Sequence, residues 1–214
     1  MAITFLDIFI IIIILVLVVL FIKKNYGEVE YIKSSIDNKT YLVKKLPDSQ
    51  KAADILAGIN KKIQRFIKHM LSKYADAKSD TSSKSDASNA SSSSNTSNAA
   101  DVKRLYENYN PENISEGTSE HGYTSYTINK GERIIVCIRE KDTMKFSDEN
   151  AVMYVVIHEL THMAITEIGH TPLFWDKFKW FLEEAVQIGI YKKVDYAKNP
   201  VNYCGIQLTT SVLV

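Results

Sequence analysis

Residues 152–168 read VMYVVIHELTHMAITEI, and no other stretch constrains the fold as tightly. Apolar residues surround the helical axis over 152–157, so a helix here belongs at the centre of a core. Within it stand His158, Glu159, Thr161 and His162. Polar groups in such surroundings are costly unless they are paired or ligated. Histidines four apart project from one helical face, and both imidazoles reach one tetrahedral zinc ion. Glu159 lies about 100° round the helix from His158, beside the ion's open position. A carboxylate there takes a proton from a metal-activated water and passes it to a leaving amine. The spacing assigns His158 and His162 as metal ligands and Glu159 as the general base of a peptidase.

A catalytic zinc needs a third protein ligand. Glu167 is five residues past His162, about 140° round the helix, and points away unless the helix has already ended. His170 follows Gly169, which can break the helix and turn the chain back under the metal. Glu183 and Glu184 stand on the following helix, at the separation where thermolysin-like enzymes supply a glutamate. Spacing leaves His170 and the Glu183–Glu184 pair level.

The stretch HELTHMAITEIGHTPLFWDKF resembles the motif of the SprT/WLM group of minimal zinc metallopeptidases. In that group HELxH is followed, after a short insert, by a histidine and then by an aromatic-rich helix beginning with Phe or Phe-Trp. The matching residues are His158, Glu159, His162, His170, Phe174 and Trp175. The insert between His162 and His170 is seven residues, longer than in WLM-type motifs and shorter than in SprT-type ones. The resemblance covers about Tyr123 to Tyr191 and implies His170 as third ligand, one Zn2+ as cofactor and polypeptide as substrate. It implies a small zincin, helices packed on a short antiparallel sheet whose edge strand holds an extended peptide. By the same analogy it brings in a DNA–protein crosslink protease. The Lys-, Ile- and Asn-rich chain is also similar to hypothetical proteins of large DNA viruses. The rival from another class is a non-catalytic zinc-binding interaction or assembly module, which has no need of Glu159.

The N-terminus carries a second strong signal. Only Thr4 and Asp7 are polar between Ile3 and Ile22, and about 20 apolar residues make a helix of about 30 Å, the thickness of a bilayer core. Residues 3–22 therefore read as a transmembrane anchor embedded in lipid. Lys23, Lys24 and Lys33 follow it and no basic residue precedes it, which places the C-terminal part in the cytosol; the likeness to viral proteins implies a viral or virion membrane. Cys137 and Cys204 read as unpaired thiols, in keeping with a reducing compartment. Two cysteines exclude a four-cysteine zinc site and a multi-bridge framework. With 26 Lys and Arg against 25 Asp and Glu, net charge +1, there is no clear nucleic-acid site.

The fold class expected is α+β in four parts: an anchor over 1–25, a tether and amphipathic helix over 26–74, a disordered Ser/Asn-rich linker or insert over 75–100, and the zincin-like domain over 101–214. Ala52, Leu56, Ile59, Ile63, Phe66, Met70 and Tyr74 recur at helical spacing, after a start signal at Pro47-Asp48-Ser49. Residues 101–109 suggest a short helix. YTSYTIN (123–129) and RIIVCIR (133–139) suggest an antiparallel hairpin about Asn129-Lys130-Gly131. Ser147 or Asp148 caps the histidine helix, which runs to about Ile168, and Pro172 opens the next, to about Ile190. The tail from Tyr191 reads as irregular. Tyr123, Tyr126, Tyr191, Tyr196 and Tyr203 are assigned to packing, and His121 to a polar surface loop.

Overall fold

From the N-terminus, the computed structural model runs α1 (Phe5–Tyr26), β1 (Val29–Lys33), β2 (Thr40–Lys44), α2 (Ser49–Tyr74), α3 (Asn89–Asn108) and β3 (Ile114–Glu116). It continues β4 (Tyr126–Ile128), β5 (Arg133–Val136), α4 (Glu149–Ala164), α5 (Pro172–Gln187), β6 (Val201–Tyr203) and β7 (Ile206–Leu208). The structure describes residues 5–26, 28–74, 89–117 and 124–214. His121, Tyr123 and residues 75–88 of the expected linker lie outside them.

Five strands form one sheet in the order β1-β2-β3-β5-β4. The β1–β2 and β4–β5 pairs are antiparallel, as a hairpin requires, whereas β3 pairs parallel with both β2 and β5. The sheet is thus mixed rather than the antiparallel one expected. The difference is β3, whose three residues are all buried although two of them, Ser115 and Glu116, are polar. Glu116 is affordable there because Arg139 Nε donates to it at 2.9 Å and the Lys44 amide at 2.8 Å. No hydropathy pattern marks such a strand.

Helix α2 follows its periodicity: Ala52, Leu56, Ile59, Ile63, Phe66 and Met70 are buried against β1–β3. Helix α4 is central as expected, packed by α3, α5, β4 and β5. Along α5, Phe174, Phe178, Phe181, Leu182 and Ala185 are buried, and Val186 stays at the rim. Helix α3 begins at Asn89, inside the stretch expected to lack structure up to residue 100, and its last turns bury Val102 and Leu105 in the core.

Two expectations are overturned. Among the described residues no helix is long and apolar enough to cross a membrane. On that finding the transmembrane anchor over 3–22, its lipid partner and the single-pass membrane location with a cytosolic C-terminal domain fall. Secondly, Cys137 and Cys204 are joined in a disulfide with Cα atoms 6.1 Å apart, so the argument from unpaired thiols to a reducing compartment fails. The tail is not wholly irregular either: β6 and β7 form a hairpin whose turn, Cys204-Gly205, has positive φ at both residues (54° and 80°). A cysteine in the left-handed region is an unusual turn residue, which is why the sequence concealed the hairpin.

Candidate metal centre

Each helix that builds the site starts where side-chain chemistry dictates. Asp148 caps α4 by accepting from the Ala151 amide at 2.9 Å. Thr171 caps α5 by accepting from the Phe174 amide at 3.3 Å, with Pro172 at the first helical position. Helix α4 stops at Ala164, short of the expected end near Ile168, because Ile165 is already extended. The earlier stop frees residues 165–171 to cross back, and Gly169, with φ +85°, turns them. His170 is thereby returned to the face of α4 that carries His158 and His162.

The three imidazoles converge by their Nε2 atoms. His158–His162 and His162–His170 are 3.2 Å apart and His158–His170 2.9 Å. These contacts cannot all be hydrogen bonds. A neutral ring nitrogen is either donor or acceptor, and three atoms in mutual contact cannot alternate. Zinc bonded tetrahedrally at about 2.0–2.1 Å sets its nitrogens about 3.3 Å apart, close to the spacing observed, so the three side chains fit one ion. Among the described residues this is the cluster of histidine, cysteine or acidic groups placed to hold a metal. Aromatic rings set the imidazole planes: Phe174 stacks on His162 at 4.3 Å and Trp175 on His170 at 5.6 Å.

Electrostatics prepares the same chemistry. Burial, then the charge of the neighbouring rings, holds His158 down to about 3. Burial chiefly, with His170 and Lys130 adding to it, holds His162 down to about 4. Both are neutral at pH 7, the form that ligates metal. Glu159 is buried beside them, and loss of solvent pushes its carboxyl up to about 7, against hydrogen bonds from Thr127 that lower it. The Thr127 hydroxyl donates to Glu159 Oε2 at 3.0 Å.

The histidines and Glu159 line a cleft of about 650 Å³. One wall is β4, an edge strand of the sheet. Another is the C-terminal hairpin, through Ile206 and Leu208, with Trp175 and Phe178 opposite in α5. Tyr126 lines the cleft as well. Tyr191 and Tyr196 pack on Tyr154, and Tyr203 is buried with its hydroxyl 2.7 Å from Ser125 Oγ.

The other candidate ligands are elsewhere. Glu184 faces α2, where it takes His69 Nε2 at 2.7 Å, Lys73 Nζ at 2.7 Å and the Tyr74 hydroxyl at 2.6 Å. Glu183 is exposed on α5. Glu167 accepts from the Thr171 hydroxyl within the return loop. Sequence reasoning did not find Thr127 or Lys130. Alternation in YTSYTIN does hint at Thr127, but nothing local reveals that its hydroxyl meets Glu159.

Comparison with known proteins gives the same segment a family. Residues 102–205 match the WLM domain. An uncharacterised protein of Acanthamoeba polyphaga mimivirus is 33% identical over 194 residues, covering 89% of this chain and 88% of that protein. An uncharacterised protein of Invertebrate iridescent virus 6 is 35% identical over 94 residues, 42% of this chain and 51% of that protein. Among solved structures, Wss1 from Saccharomyces cerevisiae aligns at 19% identity and a TM-score of 0.35, over 48% of this chain and 83% of its own, too loose a likeness to bear on function. With a viral relative matched along nearly its whole length and the domain spanning the three site histidines and Glu159, the chain belongs to the WLM family.

Proposed function

We propose that this protein is a zinc-dependent peptidase in which His158, His162 and His170 hold the ion and Glu159 is the general base. The observation that carries the reading is the triangle of Nε2 atoms beside a buried carboxylate in an open cleft. Three convergent imidazoles form a donor set suited to zinc. When bound, zinc would supply Lewis-acid polarisation of the scissile carbonyl and lower the pKa of water.

The chain's own residues do the rest. Thr127 fixes the Glu159 carboxylate by its Oε2, in the same cleft as the three imidazoles. Burial makes that carboxylate a base matched to neutral pH. Glu159 takes the water's proton as the new carbon–oxygen bond forms, then delivers it to the amine nitrogen as the peptide bond breaks. The outer edge of β4 borders the cleft and offers an extended polypeptide a strand to lie along. A module that merely stored zinc would have no use for Glu159, whose burial costs stability without catalytic return.

Glu159→Gln in the full chain is the test. It should retain about one zinc per chain by elemental analysis while cleavage of an unfolded protein such as casein falls at least ~100-fold. Undiminished cleavage would refute the assignment of the base.

A further inference from the structure

The return loop that carries His170 is held by an unusual run of donors. A helix leaves its last carbonyls without intrahelical partners. At the end of α4 and beyond it, five successive carbonyls are taken by side chains from other elements. Asn108 Nδ2 donates to Met163 O at 3.0 Å and Arg104 Nε to Ala164 O at 2.7 Å. Lys130 Nζ donates to Ile165 O at 2.7 Å, Thr166 O at 3.0 Å and Glu167 O at 3.3 Å. An ammonium has three N–H donors, and each meets one carbonyl. The two cations also oppose the negative end of the α4 dipole.

The base of Lys130 is itself fixed. It sits in the β4–β5 turn with φ +53°, followed by Gly131 at +126°. A Cβ on Gly131 would stand 2.3 Å from the Asn108 carbonyl oxygen and 2.8 Å from the Met163 side chain. The turn is therefore wedged between the ends of α3 and α4 and admits only glycine there. On the far side of the loop, Thr171 donates to Glu167. Residues 165–167 are thus pinned from both directions before Gly169 reverses the chain.

We propose that Lys130 is a positioning residue for the third metal ligand, its ammonium clamping the carbonyls of residues 165–167 so that His170 stands within ligating distance of His158 and His162. This rests on the metal-site reading above. A substrate-binding role for Lys130, which its place in the cleft wall invites, is not needed, since its donors are already engaged by backbone.

The test is zinc affinity of the full chain, measured by competition with a chromophoric chelator, together with the Co(II) absorption spectrum and the melting temperature of metal-free protein. Lys130→Met should weaken zinc at least ~10-fold, the scale of second-layer ligand support, and alter the Co(II) bands. Lys130→Arg should recover most of the affinity. Lys130→Gln, which has no charge and fewer donors, is a second variant in case the first folds poorly, and is held to the same standard. Zinc affinity within twofold of the parent in either the Met or the Gln variant overturns the proposal. His170→Ala separates the two levels. If it weakens zinc while the Lys130 variants do not, only the positioning role falls. If it too leaves affinity unchanged, the metal site falls with it.

Discussion

At the scale of single residues, His170 and Glu184 show how identical credentials in sequence lead to opposite places in space. Both satisfy a spacing rule for a third ligand. The choice is made by where α4 ends: with Ile165 extended and Gly169 turned, seven residues suffice to bring His170 within 3.2 Å of His162. Glu184 meanwhile faces α2, where it pairs with the Lys73 ammonium and bonds His69 Nε2. His170→Ala is expected to weaken zinc binding by at least ~10-fold, since a ligand matters no less than the residues that orient it. Glu184→Ala is expected to leave zinc affinity unchanged but to destabilise the fold by about 2 kcal/mol, the usual loss when a buried hydrogen-bonding partner is removed. Chemical unfolding and zinc competition on the two variants give opposite patterns. The reverse outcome would move the third ligand to α5.

At the scale of elements, the cleft depends on a hairpin that the core does not hold by itself. Strands β6 and β7 have three residues each, too short to stand alone in water. Three attachments anchor them: the buried Tyr203 ring and its bond to Ser125, the Tyr154 hydroxyl on Thr210 O at 3.3 Å, and the disulfide from Cys204 to Cys137, just beyond β5. The bridge spans 67 residues of sequence, and a disulfide typically stabilises a fold by about 2–4 kcal/mol. The Cys137→Ser/Cys204→Ser double variant should therefore lose that much in chemical unfolding, and dithiothreitol should lower the parent's melting temperature but not the variant's. Equal sensitivity of both proteins to the reductant would show that the bridge does not form.

For the whole molecule, the paired carboxylates set the response to acid. Burial alone would raise the Glu184 carboxyl, but Lys73, Tyr74 and His69 together hold it below the ordinary glutamate range. Arg139 likewise holds Asp48 low, and the hydroxyl of Ser34, with Ser35 and Gln50, holds Asp54 low. A group whose folded pKa is depressed contributes stability that is complete above its unfolded value and is lost as pH falls through the folded one. The melting temperature of metal-free protein should accordingly drop as pH falls from 5 toward 3. In Glu184→Gln the drop should be shallower from a lower start, and parallel curves would remove Glu184 from the account.

Much of this architecture was written locally. The 3.6-residue periodicity of α2 and α5, the caps at Asp148 and Thr171, and the histidine pair four apart each rest on interactions within one or two turns of chain, so a reader of the sequence meets the cause and the effect together. The polar strand β3, the bond between Cys137 and Cys204, the turn of Glu184 toward α2, the three carbonyls gathered by Lys130 and the hydroxyl of Thr127 on Glu159 are contacts across 23 to 115 positions of chain, and no local pattern records them. Even the apolar run at the N-terminus, so plain as composition, suggested an anchor, whereas among the described residues no helix is long and apolar enough to cross a membrane. Side-chain chemistry chose the residues that can bind a metal; only the packing of distant elements decided which of them meet, because burial and hydrogen bonding reward contacts without regard to separation along the chain.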